Sequence, residues 1–287
     1  MLLAEAFVPF FAYLNSLERS AETIRVYRSR LQNFQHYLEQ KLNGPVFLED
    51  VDTAIIENYL AYLKTDRHLA PASRAHMRHV LRSLFHYLEL RRIIHINPAS
   101  PLESVKIPSK ERSYLSEFEA EQLINQIESP VVQTIVKTLW GTGLRISECL
   151  NLTLDAVDLE NSCIHVLLGK GSKDRNVPIG KKLTRILQLY IDKQRPIVKS
   201  SRFFLTPRGY AVSAQKVNAA LQEAARKLVR PRSVTAHILR HSYASQLIKT
   251  GANLVQVQRL LGHSSLAVTG LYTHVSLVDL AEAVNRL

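Results

Sequence analysis

The chain has 287 residues, 46% of them hydrophobic, which suits two packed cores better than one. Lys and Arg number 37 against 25 Asp and Glu, a formal charge of +12 that attracts polyanions, nucleic acid first among them. No apolar run reaches the ~18 residues of a spanning helix, no signal-peptide pattern opens the chain and no GxxxxGK[ST] loop is present, so the composition argues against a membrane protein and a P-loop nucleotide hydrolase, and the expected compartment is the cytoplasm.

The first hundred residues read as four helices. An opening helix runs near Ala4 to Leu17, and Ser20 is placed to cap a second in which Ile24, Tyr27, Leu31, Phe34 and Leu38 recur at three- and four-residue steps. Asp52 precedes a third run through Ile55, Ile56, Tyr59, Leu60 and Leu63, and Pro71 precedes a fourth through Met77, Val80, Leu81, Leu84, Phe85 and Leu88. Arg74, Arg78 and Arg82 fall at i, i+4 and i+8 on that last helix, a row of cations suited to DNA phosphates. A solvated face without a partner would look the same in sequence.

From 97 to 113 the periodicity lapses among Pro98, Pro101 and Pro108, so a linker is expected between a helical domain at 1–96 and a second domain at 114–287. In the second domain Ser116 starts a helix, Val131 to Trp140 forms an apolar one, and the Gly141-Thr142-Gly143 break leads into Arg145 at the start of the next. Ile164, Val166 and Leu168, then Val177 and Ile179, alternate about Gly169-Lys170-Gly171, which predicts a β-hairpin with a lysine in its turn. Helices are expected around Leu183 to Lys193, Ser213 to Leu228, Ile238 to Lys249 and Asn253 to Leu261, the last closed by Gly262. The fold class that results is mostly α with a small antiparallel sheet. Cys149 and Cys163, the two cysteines, lack the paired spacing of a zinc site and are expected reduced and packed.

Three segments of the second domain carry chemistry when taken together: TGLRISE around Arg145, TAHILRHSYASQLI around His237 and Arg240, and LLGHSSLAVTGLYTHV around His263 and Tyr272. Reversible cleavage of a phosphodiester needs a nucleophile, charge on the non-bridging oxygens and a proton donor for the leaving oxygen. Guanidinium groups stay protonated and present a planar fork matched to phosphate. His237, one helical turn before Arg240, projects from the same face, and an imidazole titrates near neutrality, as activation of a phenol requires.

In order and spacing these segments resemble the tyrosine recombinase family, nearest its Xer and phage-integrase branch, along essentially the whole chain. The resemblance carries the family's Arg-His-x-x-Arg-His-Tyr signature onto Arg145, His237, Arg240, His263 and Tyr272, and its hairpin lysine onto Lys170. It implies a helical core-binding domain followed by a mixed catalytic domain. Tyr272 would attack the scissile phosphate to give a 3′-phosphotyrosine, Lys170 would protonate the departing 5′-hydroxyl, and two rounds of exchange through a Holliday junction would need neither metal nor other cofactor. Glu148 occupies an acidic position that orients active-site groups, while Lys173 and Arg175 read as phosphate contacts. Gly270, two residues before Tyr272, stands where relatives carry a larger residue, and Tyr243 where they carry a packing aromatic.

The expected partner is a double-stranded DNA recombination site, bound by a homotetramer that exchanges a C-terminal helix carrying Leu277, Leu280, Ala281, Val284 and Leu287, with a paired recombinase or accessory protein as further candidates. The expected role is resolution of chromosome or plasmid dimers or of transposon cointegrates. Integration by a phage or mobile element, supercoil relaxation by a type IB topoisomerase, and DNA binding without catalysis are the rival readings.

Overall fold

The computed structural model describes residues 1–108, 114–167 and 174–262, and the chain divides into two compact units, Met1–Glu111 and Arg112–Leu287. The first unit holds helices α1 (Leu3–Ser16), α2 (Ala21–Leu42), α3 (Thr53–Thr65) and α4 (Pro71–Leu90). Their starts are set by side chains that satisfy free backbone donors: Ser20 Oγ accepts the Thr23 N–H at 3.1 Å, and Asp52 Oδ1 accepts the Ile55 N–H at 2.7 Å. Pro71, which has no N–H to leave unpaired, occupies the first turn of α4. The apolar stripes of α2 and α4 close on Phe10 and Phe11 of α1 and Ile56 and Tyr59 of α3 to make one core.

Of the expected linker, residues 97–108 are described and form no helix or strand. Its first residues nonetheless pack on the first unit. Ala99 and Leu102 are buried in that core, Thr53 Oγ1 donates to the Pro98 carbonyl at 2.9 Å, and Arg78 donates through Nε at 3.0 Å and through Nη2 to the Leu102 carbonyl.

The second unit holds α5 (Glu117–Asn125), α6 (Pro130–Thr142), α7 (Ile146–Leu150), strands β1 (Val157–Asp158), β2 (Cys163–Val166) and β3 (Arg175–Pro178), then α8 (Lys181–Lys193), α9 (Ala214–Arg226), α10 (Ala236–Lys249) and α11 (Leu254–Leu261). The sheet is antiparallel in the order β1-β2-β3, with Ile164 opposite Val177 and Val166 opposite Arg175. Strands β2 and β3 thus pair as expected, the turn between them lying outside the described residues, and β1 adds a strand that the pattern did not announce.

Helix α6 lies at the centre, packed against α5, α7, α8, α9 and α10. Its three buried threonines, Thr134, Thr138 and Thr142, each donate to the carbonyl four residues back, so polar side chains sit in the core without orphaned hydroxyls. Helix α11 docks on α10 through a separate small cluster of Ala244, Val257 and Leu261, flanked by Tyr243 and Leu247. Cys149 is buried and Cys163 half-buried, both as free thiols. Among the described residues no helix is long and apolar enough to cross a membrane.

Candidate active site

The site is built where α6 ends. Gly143 adopts φ +64°, a left-handed conformation, and its N–H closes on the Leu139 carbonyl at 3.0 Å. A Cβ at this position would lie 2.3 Å from Cδ1 of Tyr243 and 2.8 Å from Cδ2 of Leu261, so only glycine fits. Thr142 Oγ1 accepts the Leu144 N–H at 3.3 Å and completes the turn that delivers Arg145 to the N-cap of α7. Glu148, in the first turn of α7, accepts the Arg145 backbone N–H at 2.8 Å and its Nη1 at 2.7 Å. The Arg145 side chain remains 39% exposed while Glu148 is 5% exposed.

Arg240 comes from α10 and is buried. It donates through Nη1 to the Gly143 carbonyl at 2.8 Å and through Nη2 to the Leu261 carbonyl at 2.7 Å. His237, one turn earlier, is exposed, so two residues expected on one face differ in access to solvent. Arg175 opens β3, reaches the Leu260 carbonyl through Nε at 2.9 Å, and grips both carboxylate oxygens of Glu148 through Nη1 at 3.2 Å and Nη2 at 2.8 Å. Arg145 in turn donates through Nη2 to the Gly262 carbonyl at 3.3 Å. Three guanidinium groups from α7, β3 and α10 therefore meet three consecutive carbonyls, those of residues 260, 261 and 262, at the end of α11. The negative end of the α11 dipole favours this gathering. The residue that follows is His263.

Two of the arginines expected at DNA phosphates are engaged within the protein. Arg175 is 8% exposed and all three of its nitrogens are engaged within the protein. Its charge is buried because Glu148 compensates it. Arg78 is half-buried and tied to the Leu102 carbonyl, which leaves Arg82 as the fully exposed member of the α4 row, with Arg74 half-buried. Lys170, Lys173, His263 and Tyr272, together with Gly270 and the expected C-terminal helix, lie outside the described residues.

Burial pushes the Glu148 carboxyl upward, but hydrogen bonds from Arg175 and Arg145 outweigh it and hold the group below its ordinary value of 4.5. A carboxyl lowered on folding stabilises the folded state above its unfolded-state value and loses that contribution as the pH falls through the lowered value. Unfolding free energy is thus expected to drop with acidification below pH 4.5, and Glu148→Gln should flatten part of that drop. Urea unfolding at a series of pH values checks it. Burial likewise raises the Tyr243 phenol, consistent with a packing role beneath Gly143.

The fold is shared with DNA recombinases and integrases. The Tn1549 transposon integrase in complex with transposon right-end DNA superposes with a TM-score of 0.79 at 19% identity, over 100% of this chain and 99% of that one. The XerH site-specific recombinase bound to a palindromic difH substrate gives 0.72 at 25% identity, over 91% and 79%. In sequence, residues 113–277 match the phage integrase family and residues 7–92 match the phage integrase N-terminal SAM-like domain. Tyrosine recombinase XerC of Lacticaseibacillus casei is 32% identical over 91% of this chain and 90% of its own length, and XerD of Listeria monocytogenes is 30% identical over 99% and 97%. The SAM-like model falls on the first unit of this chain and the phage integrase model on the second. The chain belongs to the phage integrase family, and within it is a site-specific tyrosine recombinase of the Xer type.

Proposed function

We propose that Tyr272 is the nucleophile that joins the 3′ side of a cleaved DNA strand as a phosphotyrosine, with Arg145 and Arg240 supplying charge to the non-bridging oxygens. His237 and His263 hold or accept protons at the phosphorane, Lys170 protonates the leaving 5′-oxygen, and Glu148 aims Arg145. The bond energy is kept in the phosphotyrosine, so religation runs without metal or nucleotide. The observation that carries this reading is the meeting of Arg145 and Arg240 at the adjacent carbonyls of Gly262 and Leu261, immediately before His263. Preorganised guanidinium groups in a partly desolvated site stabilise developing phosphorane charge far better than mobile surface cations do.

The substrate is a double-stranded recombination site, on which four copies assemble through the helix that carries Leu277, Leu280 and Val284, and a Holliday junction links the two rounds of exchange. Arg74, Arg82 and Lys173 contact phosphates. The protein works in the cytoplasm and resolves chromosome or plasmid dimers or transposon cointegrates, alone or with a paired recombinase or accessory protein.

Nicked suicide duplexes from a randomised library, incubated with the protein in EDTA, test the chemistry. A covalent adduct is expected whose peptide map carries the DNA on Tyr272 and whose retained sequences define the site. Salt-sensitive binding with no adduct on any duplex would leave a DNA-binding protein in its place.

A further inference from the structure

We propose that Arg175 is a positioning residue for strand cleavage: it neutralises and fixes the Glu148 carboxylate so that Arg145 keeps both its aim and its positive charge for the scissile phosphate. The inference rests on the assignment of Arg145 to that phosphate. Glu148 is nearly enclosed and shared between two guanidinium groups of opposite exposure, Arg145 at 39% and Arg175 at 8%. Were Arg145 its sole partner, carboxylate and guanidinium would cancel, and a phosphate would meet a neutral pair. With Arg175 present the cluster holds two positive charges and one negative, and the surplus sits on the exposed Arg145.

Geometry fixes which arginine does which work. Arg175 meets Glu148 as a two-pronged fork, while its Nε is anchored on the Leu260 carbonyl, so the plane of the guanidinium is set from both sides. The backbone of Gly262, at φ +67°, lies against it so closely that a Cβ there would come within 2.9 Å of Nη1. No face of Arg175 is open enough for a phosphate. A lysine could hold one of these partners but not all three.

Single-turnover cleavage of a suicide duplex at saturating protein, together with the salt dependence of binding, tests the proposal. Arg175→Gln is expected to slow the first-order cleavage step by about 10- to 100-fold. Its half-saturating concentration should change little, and the slope of log affinity against log salt should match the wild type. Arg175→Lys should fall between the two. A phosphate ligand would behave otherwise, losing about 0.9 of that slope.

The decisive comparison is made in a Glu148→Gln background, because the double variant removes carboxylate and guanidinium together and strands neither should Arg175→Gln alone fail to fold. There, removal of Arg175 should alter cleavage by less than about threefold, because the carboxylate it serves is gone. A further fall of tenfold or more, a reduced salt slope, or an Arg175→Gln variant that cleaves at the wild-type rate overturns the positioning role. If the wild type itself forms no adduct, the assignment of Arg145 falls first, and the two failures are told apart.

Discussion

Arg240→Ala is expected to slow covalent adduct formation by about 100- to 1,000-fold and also to destabilise the catalytic unit by about 2 to 4 kcal/mol. Both effects come from one side chain. Its guanidinium bridges the Gly143 and Leu261 carbonyls, and truncation takes a donor from each of two buried acceptors in addition to removing the charge proposed to meet the phosphate. Arg145→Ala should match the catalytic loss with a stability change of about 1 kcal/mol, since Glu148 keeps its fork from Arg175 and the Arg145 side chain is 39% exposed. Adduct rates at saturating protein set beside urea midpoints separate the two arginines. Equal stability losses would show that the buried and the exposed arginine carry the same structural role, contrary to the geometry. Arg240→Lys should recover little of either property, because one ammonium nitrogen lacks the planar fork whose two nitrogens each meet a carbonyl on a different element.

Much of this arrangement is legible in the sequence because local rules and the fold agree. Ser20, Asp52, Pro71, Ser116 and Asn253 each mark a helix start by chemistry confined to three or four residues, and each helix begins there. Gly143 and Gly262 end α6 and α11 with positive φ. What the sequence hides is partnership at a distance. Arg78 looks like one more cation on an exposed row until Leu102, 24 residues on, presents its carbonyl. Strand β1 has two residues, too few for any alternation to register.

Arg175 is the instructive case, since a signal for it did exist. Val177 and Ile179 set the inward parity of the strand, and Arg175 falls on the same parity, which places a charge toward the core and calls for a buried counter-ion. Charge alone suggested a phosphate contact instead. The counter-ion, Glu148, lies 27 residues earlier on a different element, beyond the reach of any periodicity.

Gly143→Ala is expected to cost about 3 to 5 kcal/mol, and Gly251→Ala supplies the scale. Both glycines have positive φ, +64° and +92°, but a Cβ at Gly251 meets nothing within 4 Å whereas one at Gly143 strikes Tyr243 and Leu261. Gly251→Ala therefore reports backbone strain by itself, about 1 to 2 kcal/mol, and the difference between the two reports the contact. Gly143 also carries the carbonyl that holds Arg240, so a shift that relieves the clash moves a cation proposed to meet the phosphate. Cleavage by Gly143→Ala should then fall well below that of Gly251→Ala, even at a temperature where both are fully folded. If the two variants lost equal stability and cleaved equally well, Tyr243 and Leu261 would have to yield freely, and the floor beneath the two arginines would not be the rigid support that preorganised stabilisation of a phosphorane requires.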